Sequence, residues 1–286
     1  MVLITGSSGQ LGSELKVLAG NEPGYIFTDG DILDITDYEK VRKFIKSNSI
    51  THIINCAAYT AVDRAEEEKD LASLINYESV ENLARVCKEN DIILIHLSTD
   101  YVFDGMNYRP YKENDLTSPI NHYGLTKCQG EEAIARIAPK SFIIRTSWVY
   151  SPYGKNFIKT MLSLAKTKDR LSIVCDQIGS PTYAKDLAQT ILKLLKTKDL
   201  LSMRGEIFHY SNEGVCSWYD FAKAIFELED IDVKVDPIKT VNYSTLAKRP
   251  HYSVLDKTKI KKCFDTVRIP YWKDSLKECL QRLNDE

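Results

Sequence analysis

The chain runs from an apolar β-branched stretch, Val2-Leu3-Ile4-Thr5, straight into Gly6-Ser7-Ser8-Gly9-Gln10-Leu11-Gly12, and a helical pattern follows from Glu14. Glycines at this spacing let the backbone come close to a pyrophosphate whose charge rests on the N-terminus of the next helix, a G-x-x-G-x-x-G variant of the dinucleotide fingerprint. The same glycines could also form a bare tight turn. Their position between a first strand and a first helix favours cofactor binding by Gly6, Gly9 and Gly12. A carboxylate that accepts ribose hydroxyls is expected about 20 residues on, after the second strand. Asp29 closes Tyr25-Ile26-Phe27-Thr28 and supplies it, with no Arg or Lys adjoining to hold a 2′-phosphate. That leans toward NADH over NADPH, although Asp31 and Asp34 nearby allow a plain loop aspartate.

The rest of the pattern continues this start. Further apolar runs at His52-Ile53-Ile54-Asn55, 92–97 and Phe142-Ile143-Ile144-Arg145 suit strands buried on both faces. Between them, 38–47 repeats apolar residues at Val41, Phe44 and Ile45, and 71–88 at Leu74, Ile75, Leu83, Val86 and Cys87, which is helical spacing. Strands alternating with helices predict an α/β fold with a doubly wound parallel sheet, Rossmann-like, helices covering both faces. After Tyr150 the pattern loosens: helix over 157–166, strand over 173–175, helix over 184–195, strand over 207–210. From Ser217 the chain turns aromatic and charged. Residues 1–150 and 171–211 are therefore assigned to the dinucleotide-binding domain, and 151–170 and 212–286 to a smaller α+β substrate lobe.

Composition removes several function classes. With 38 basic and 40 acidic residues the net charge is -2, which gives no reason to seek nucleic acid or an anionic membrane. The seven cysteines are scattered and contain no C-x-x-C pair, a pattern of reduced thiols. The five histidines lack metal-ligand spacing. No run approaches the ~20 apolar residues of a membrane span, so the expectation is a cytoplasmic protein acting on a small molecule.

The run 92–97 continues into Ser98-Thr99-Asp100-Tyr101, and ligands of such sheets sit beyond the strand ends, so the Thr99 hydroxyl is expected to face the cleft. A strand-ending threonine that merely caps a turn is the plainer alternative. Downstream, Tyr123 and Lys127 stand one helical turn apart. Tyr108/Lys112 and Tyr219/Lys223 share that spacing, but Pro110 interrupts the first and the second lies in the other lobe. An ammonium beside a phenol favours phenolate; moving tyrosine from ~10 to about 7 takes about 4 kcal/mol of preferential stabilisation. Tyr123 would then exchange a proton with a carbonyl oxygen, Thr99 would hydrogen-bond that oxygen, and Lys127 would also hold the nicotinamide ribose.

At these residues the chain resembles the extended short-chain dehydrogenases/reductases, and within them the dTDP-4-dehydrorhamnose reductase family. The likeness runs through the glycine turn, NCAAYTAVDRAE (55–66), STDYVFDG (98–105), YGLTK (123–127), RTSWVY (145–150), DQIGSPTY (176–183) and RPHYSVLD (249–256). It implies NADPH or NADH as cofactor and reduction of C4 of dTDP-4-dehydro-β-L-rhamnose to dTDP-L-rhamnose. It also implies cofactor contacts at Gln10, Leu11, Asp34, Ile35, Ala57, Ala58, Tyr59 and Thr60. Thr99, Asp100, Tyr101 and Trp148 match contacts to the sugar nucleotide, although core packing is the plainer role for Trp148. Tyr123 matches the proton donor and Lys127 its helper.

Some members of that family form a dimer bridged by magnesium, through a glutamate where Glu14 stands and an acidic pair near Lys185-Asp186. Lys185 breaks the pair, so no metal is expected and a homodimer stays open. Related dehydratases carry an acid where Tyr101 stands, which argues against elimination of water. An epimerase, and a non-catalytic relative of the methionine adenosyltransferase regulatory subunit, remain as alternatives.

Overall fold

The computed structural model describes residues 1–285. Five strands, β1 (Val2–Thr5), β2 (Tyr25–Thr28), β3 (His52–Asn55), β4 (Ile93–Thr99) and β5 (Ser141–Thr146), form most of the central sheet. The chain then makes β6 (Val149–Tyr150), α6 (Phe157–Ala165), β7 (Arg170–Val174), β8 (Ile178–Gly179) and β9 (Thr182–Tyr183) outside it, and returns as β10 (Arg204–His209). All six sheet strands are parallel, in the order β10-β5-β4-β3-β1-β2. The winding reverses between β1 and β3, which makes that point the expected ligand crevice.

Two layers of core explain why these strands read as unbroken apolar runs. Ile4, Ile54, Ile95 and Ile144 face one side, against Leu15 of α1 (Gln10–Ala19) and Leu187 of α7 (Ala184–Leu194). Their neighbours Leu3, Ile53, Leu94 and Ile143 face the other, against Val41 of α2 (Tyr38–Ser47) and Leu83 of α4 (Ser79–Glu89). Successive side chains alternate across a strand, so a sheet covered on both faces needs apolar residues at every position.

Three local features differ from the expected pattern. The first helix begins at Gln10, directly off the glycine turn, rather than at Glu14. The expected helix over 71–88 is interrupted: α3 (Lys69–Ser73) passes through a π-helical turn, Leu74–Glu78, into α4. Finally, β7 pairs with β12 (Lys234–Ile238) and β8 with β11 (Cys216–Ser217), so 170–183 lies on the lobe side of the expected boundary. Leu171, Ile173 and Tyr183 accordingly share the lobe's core with Phe221 of α8 (Trp218–Leu228). In the opposite sense, Ile260 of α9 (Thr258–Cys263) and Phe264 pack into the sheet's core beside Phe208.

An ion pair with a buried carboxylate and a partly exposed guanidinium ties the two lobes together. Glu14 of α1 is fully buried and accepts from Arg282 of α10 (Trp272–Asp285) at 3.0 Å on both carboxylate oxygens, and from Ser151 Oγ at 3.0 Å. Burial lifts the Glu14 carboxyl above its ordinary range, and Arg282 pulls it back. Lys185 pairs with Glu278, while Asp186 accepts from Asn212 Nδ2 at 2.7 Å and Ser275 Oγ at 2.6 Å. Among the described residues no group of His, Cys, Asp and Glu stands where it could hold a metal ion. Removing one partner of a buried pair strands the other charge, which costs about 3–5 kcal/mol. Arg282→Met is therefore expected to lower unfolding stability by that amount in urea denaturation; an unchanged midpoint would show that the pair does not hold the lobes.

Candidate functional site

The glycine turn sits at the switch point and leaves no room for side chains. Gly6 has φ +66°, and a Cβ there would lie 2.6 Å from the Ala57 nitrogen at the end of β3. A Cβ on Gly12 would lie 2.4 Å from the Gly6 carbonyl oxygen. Gly9 is the N-cap of α1 and no side chain caps that helix, so its first N–H groups are available to an anion. Two cavities of about 370 and 460 Å³ meet at Gly9, Cys56 and Ala58 and form one groove across the turn. A groove floored by glycine backbone and starting at an uncapped helix fits a dinucleotide.

Most of the expected cofactor residues line it. Asp34, Ile35 and Ala57 border one end; Gln10, Leu11, Thr60, Tyr123 and Lys127 border the other, where Lys155 joins them. Tyr59 does not reach the groove through its side chain. Its phenol donates to Glu68, and its backbone is clamped by Asn76, whose Oδ1 accepts from Tyr59 N at 2.9 Å and whose Nδ2 donates to Tyr59 O at 3.0 Å. Asp29 lies at the groove but accepts from Ser7 Oγ at 2.7 Å, Ser8 N at 3.0 Å and Ser8 Oγ at 3.0 Å. Burial opposes its charge, yet the Ser8 and Ser7 donors hold the carboxyl below the ordinary range. Asp29 thus braces the glycine turn, and its use as a discriminator between NADH and NADPH loses force.

Thr99 ends β4 and Tyr123 lies in the first turn of α5 (His122–Ile137), which Asn121 caps by accepting from Gly124 N at 2.8 Å. Their hydroxyls are neighbours. Burial pushes the Tyr123 phenol up to about 12, Thr99 draws it down and the nearby Asp100 raises it. Lys127 is 2% exposed, and its ammonium turns to β4, donating to Leu97 O at 2.6 Å with His96 Nε2 at 3.3 Å. Burial lowers it to about 8. The expected lowering of the phenol by Lys127 is therefore not what this arrangement does: desolvation dominates, and the lysine's hydrogens are aimed at the strand. Tyr123 keeps its proton at neutral pH.

Two expected sugar contacts are placed differently. Asp100 is 1% exposed and accepts from Thr99 Oγ1 at 3.0 Å, so it sits behind Thr99 and reaches a ligand only through that hydroxyl. Burial raises its carboxyl to about 6. Thr99 also caps the following turn, accepting from Tyr101 N at 3.2 Å, which is the plainer of the two expected roles. Trp148, at φ +49°, stacks one face on Trp218 at 3.6 Å between ring centres, while its edge touches Gly179. Tyr101 stands edge-on to Tyr123, ring centres 5.6 Å apart. Of the competing pairs, Tyr108 is 93% exposed in a loop and Tyr219/Lys223 lie on α8 in the lobe.

Asn76 was not foreseen. The π-helical turn buries it, and besides Tyr59 it holds Thr126 of α5, Nδ2 to Oγ1 at 3.1 Å, so one amide fixes both the groove wall and the Tyr123 helix.

A parallel sheet whose switch point opens onto a glycine turn on one side and a tyrosine-lysine helix on the other is the build of the extended short-chain dehydrogenases/reductases. The model of the RmlD substrate binding domain matches residues 1–285. A dTDP-4-dehydrorhamnose reductase of Aggregatibacter actinomycetemcomitans is 42% identical over 96% of this chain and 97% of that one. A crystal structure of a dTDP-4-dehydrorhamnose reductase from Clostridium acetobutylicum is 43% identical, with TM-score 0.93 and 99% of both chains covered. The Bacillus anthracis reductase, solved in complex with NADP, is 39% identical, with TM-score 0.93 and 98% of both chains covered. The chain belongs to the dTDP-4-dehydrorhamnose reductase family. No helix among the described residues is long and apolar enough to cross a membrane.

Asn76→Ala leaves the Tyr59 amide, the Tyr59 carbonyl and the Thr126 hydroxyl without their partner. Unsatisfied buried polar groups cost about 1–3 kcal/mol each, and relaxation toward water reduces the sum. A loss of roughly 2–4 kcal/mol in chemical denaturation is expected; a loss within experimental error would remove Asn76 from the site's framework.

Proposed function

We propose that this protein reduces the C4 keto group of dTDP-4-dehydro-β-L-rhamnose to give dTDP-L-rhamnose, with Tyr123 as proton donor and NADPH or NADH as cofactor. The observation that carries the proposal is the pairing of the Thr99 and Tyr123 hydroxyls at the junction of the glycine groove and the second lobe, with the phenol's proton retained by burial. The names of the relatives point to the same substrate. When bound, the cofactor supplies the hydride. The glycine turn takes its pyrophosphate, the groove wall at Asp34 and Ile35 its far end, and Lys127 the ribose near the reacting carbon. Thr99, its own hydrogen directed to Asp100, positions Tyr123; Tyr101 and Trp148 border the sugar.

The test is oxidation of NADPH and of NADH by purified protein given dTDP-4-dehydrorhamnose. NADPH is expected to serve, since Asp29 is engaged by the serines of the turn. Tyr123→Phe should lower kcat at least ~100-fold and leave nucleotide affinity nearly unchanged; retention of turnover would take the acid role from Tyr123. The pH profile follows from these two groups. With Tyr123 at about 12 and Lys127 at about 8, the accessible alkaline limb of kcat/KM belongs to Lys127, active as ammonium below that pH and lost above it. Residual activity of Lys127→Met should lack this limb.

A further inference from the structure

Behind Lys127 a chain of polar side chains crosses beneath the groove. Thr5 Oγ1 lies 2.7 Å from Asn55 Oδ1, the Asn55 amide 3.1 Å from His96 Nδ1, and His96 Nε2 3.3 Å from Lys127 Nζ. These four residues, from β1, β3, β4 and α5, are each at most 2% exposed. Burial, with the lysine's charge added, holds the His96 ring well below its ordinary pKa. The ring is thus neutral and carries one proton for two nitrogens.

That single proton gives the chain two self-consistent arrangements. In one, Thr5 donates to Asn55 Oδ1, Asn55 Nδ2 donates to His96 Nδ1, and His96 Nε2–H donates to a neutral Lys127 amine. In the other the Asn55 amide is turned over: Nδ2 donates to Thr5 Oγ1, Oδ1 accepts from His96 Nδ1–H, and His96 Nε2 accepts from the Lys127 ammonium. Nε2–H opposite the ammonium, or Nδ1–H opposite the Asn55 amide nitrogen, sets two donors face to face. Leu97 O accepts a hydrogen from Nζ in both. The other groups acting on Lys127 are Glu131, one turn along α5, and Cys56, after β3. Glu131 is itself held by Arg145 of β5 at 2.6 Å and by Ser98.

We propose that His96, oriented by Asn55, is a positioning residue whose ring changes tautomer as Lys127 gains or loses its proton. This rests on the assignment of Lys127 to the site under Proposed function. In passing from the second arrangement to the first, one proton leaves Nζ for bulk base through the cleft, the ring's proton changes nitrogen, and His96 keeps zero charge throughout. A ring fixed as Nε2–H would set a donor against the ammonium, and a ring fixed as Nδ1–H would leave the lone pair of the neutral amine without a hydrogen.

Nitrogen NMR of the wild-type protein with isotopically labelled histidine tests this directly, the His96 signals being assigned by their absence in His96→Gln. His96 should pass from the Nδ1–H to the Nε2–H form over about pH 6–10 with the midpoint of the Lys127 titration, and should be pH-independent in Lys127→Met. A tautomer that stays fixed while Lys127 titrates overturns the proposal. In kinetics, His96→Leu removes the acceptor that favours the ammonium, so the alkaline limb of kcat/KM should move down by about one pH unit; an unmoved limb also overturns it. If the tautomer follows Lys127 but dTDP-4-dehydrorhamnose is not reduced, the proposed function fails and the role of His96 stands.

Discussion

A backbone that must lie against a pyrophosphate can carry no Cβ where it turns, and here the same rule governs how the sheet closes. Gly6 lets the end of β1 touch the end of β3, its missing Cβ lying 2.6 Å from the Ala57 nitrogen, and Gly12 lets α1 start against the Gly6 carbonyl. The switch point, the uncapped helix and the groove are consequences of these two contacts. Asp29, Ser7 and Ser8 then brace the turn from the second strand. Moving either glycine would displace the strand ends and every group mounted on them, including Asn55 and His96.

The second constraint is the cost of buried polarity. The floor of the site is made of hydroxyls, amides, an imidazole and an ammonium with almost no exposure, and each such group is expensive unless paired. Pairing explains the layout: Asn76 joins the groove wall to α5, Arg145 and Ser98 neutralise Glu131, and Asp100 takes the Thr99 hydrogen. Asp100 is the costly case, a carboxyl 1% exposed that hydroxyl donors rather than a cation attend. The raised carboxyl of Asp100 is the expected response to that exposure to low dielectric.

What the sequence disclosed follows from how local each signal is. The glycine turn, the apolar runs and the Tyr123/Lys127 spacing depend on neighbours within a few residues, and the structure brings Gly6, Gly9, Tyr123 and Lys127 together along one groove, with Thr99 beside Tyr123. Asp29 reached the groove as its spacing suggested, but a carboxylate at that spacing says nothing of the serines that also engage it. Asn76 gave no signal, since a π-helical turn is not written in hydrophobic period. His96 gave one that was left unused: a histidine inside the run Ile92-Ile93-Leu94-Ile95-His96-Leu97 is a polar group committed to burial, and such a group needs a partner. The lobe boundary was missed because β7 pairs with β12, far along the chain.

The state of Tyr123 bears on the direction of the chemistry. A group that must hand a proton to a carbonyl oxygen starts its cycle protonated, whereas one that must take a proton from an alcohol starts as phenolate. Burial puts the free protein in the first condition, pushing the phenol up to about 12 although the neighbouring Thr99 hydroxyl draws it down. The lysine that sequence spacing suggested would strip the phenol instead points away from it, to Leu97 and His96. Under the proposed function, Lys127 then serves as the cation that holds the ribose, while desolvation of the phenol, rather than the lysine's charge, sets the state of the acid.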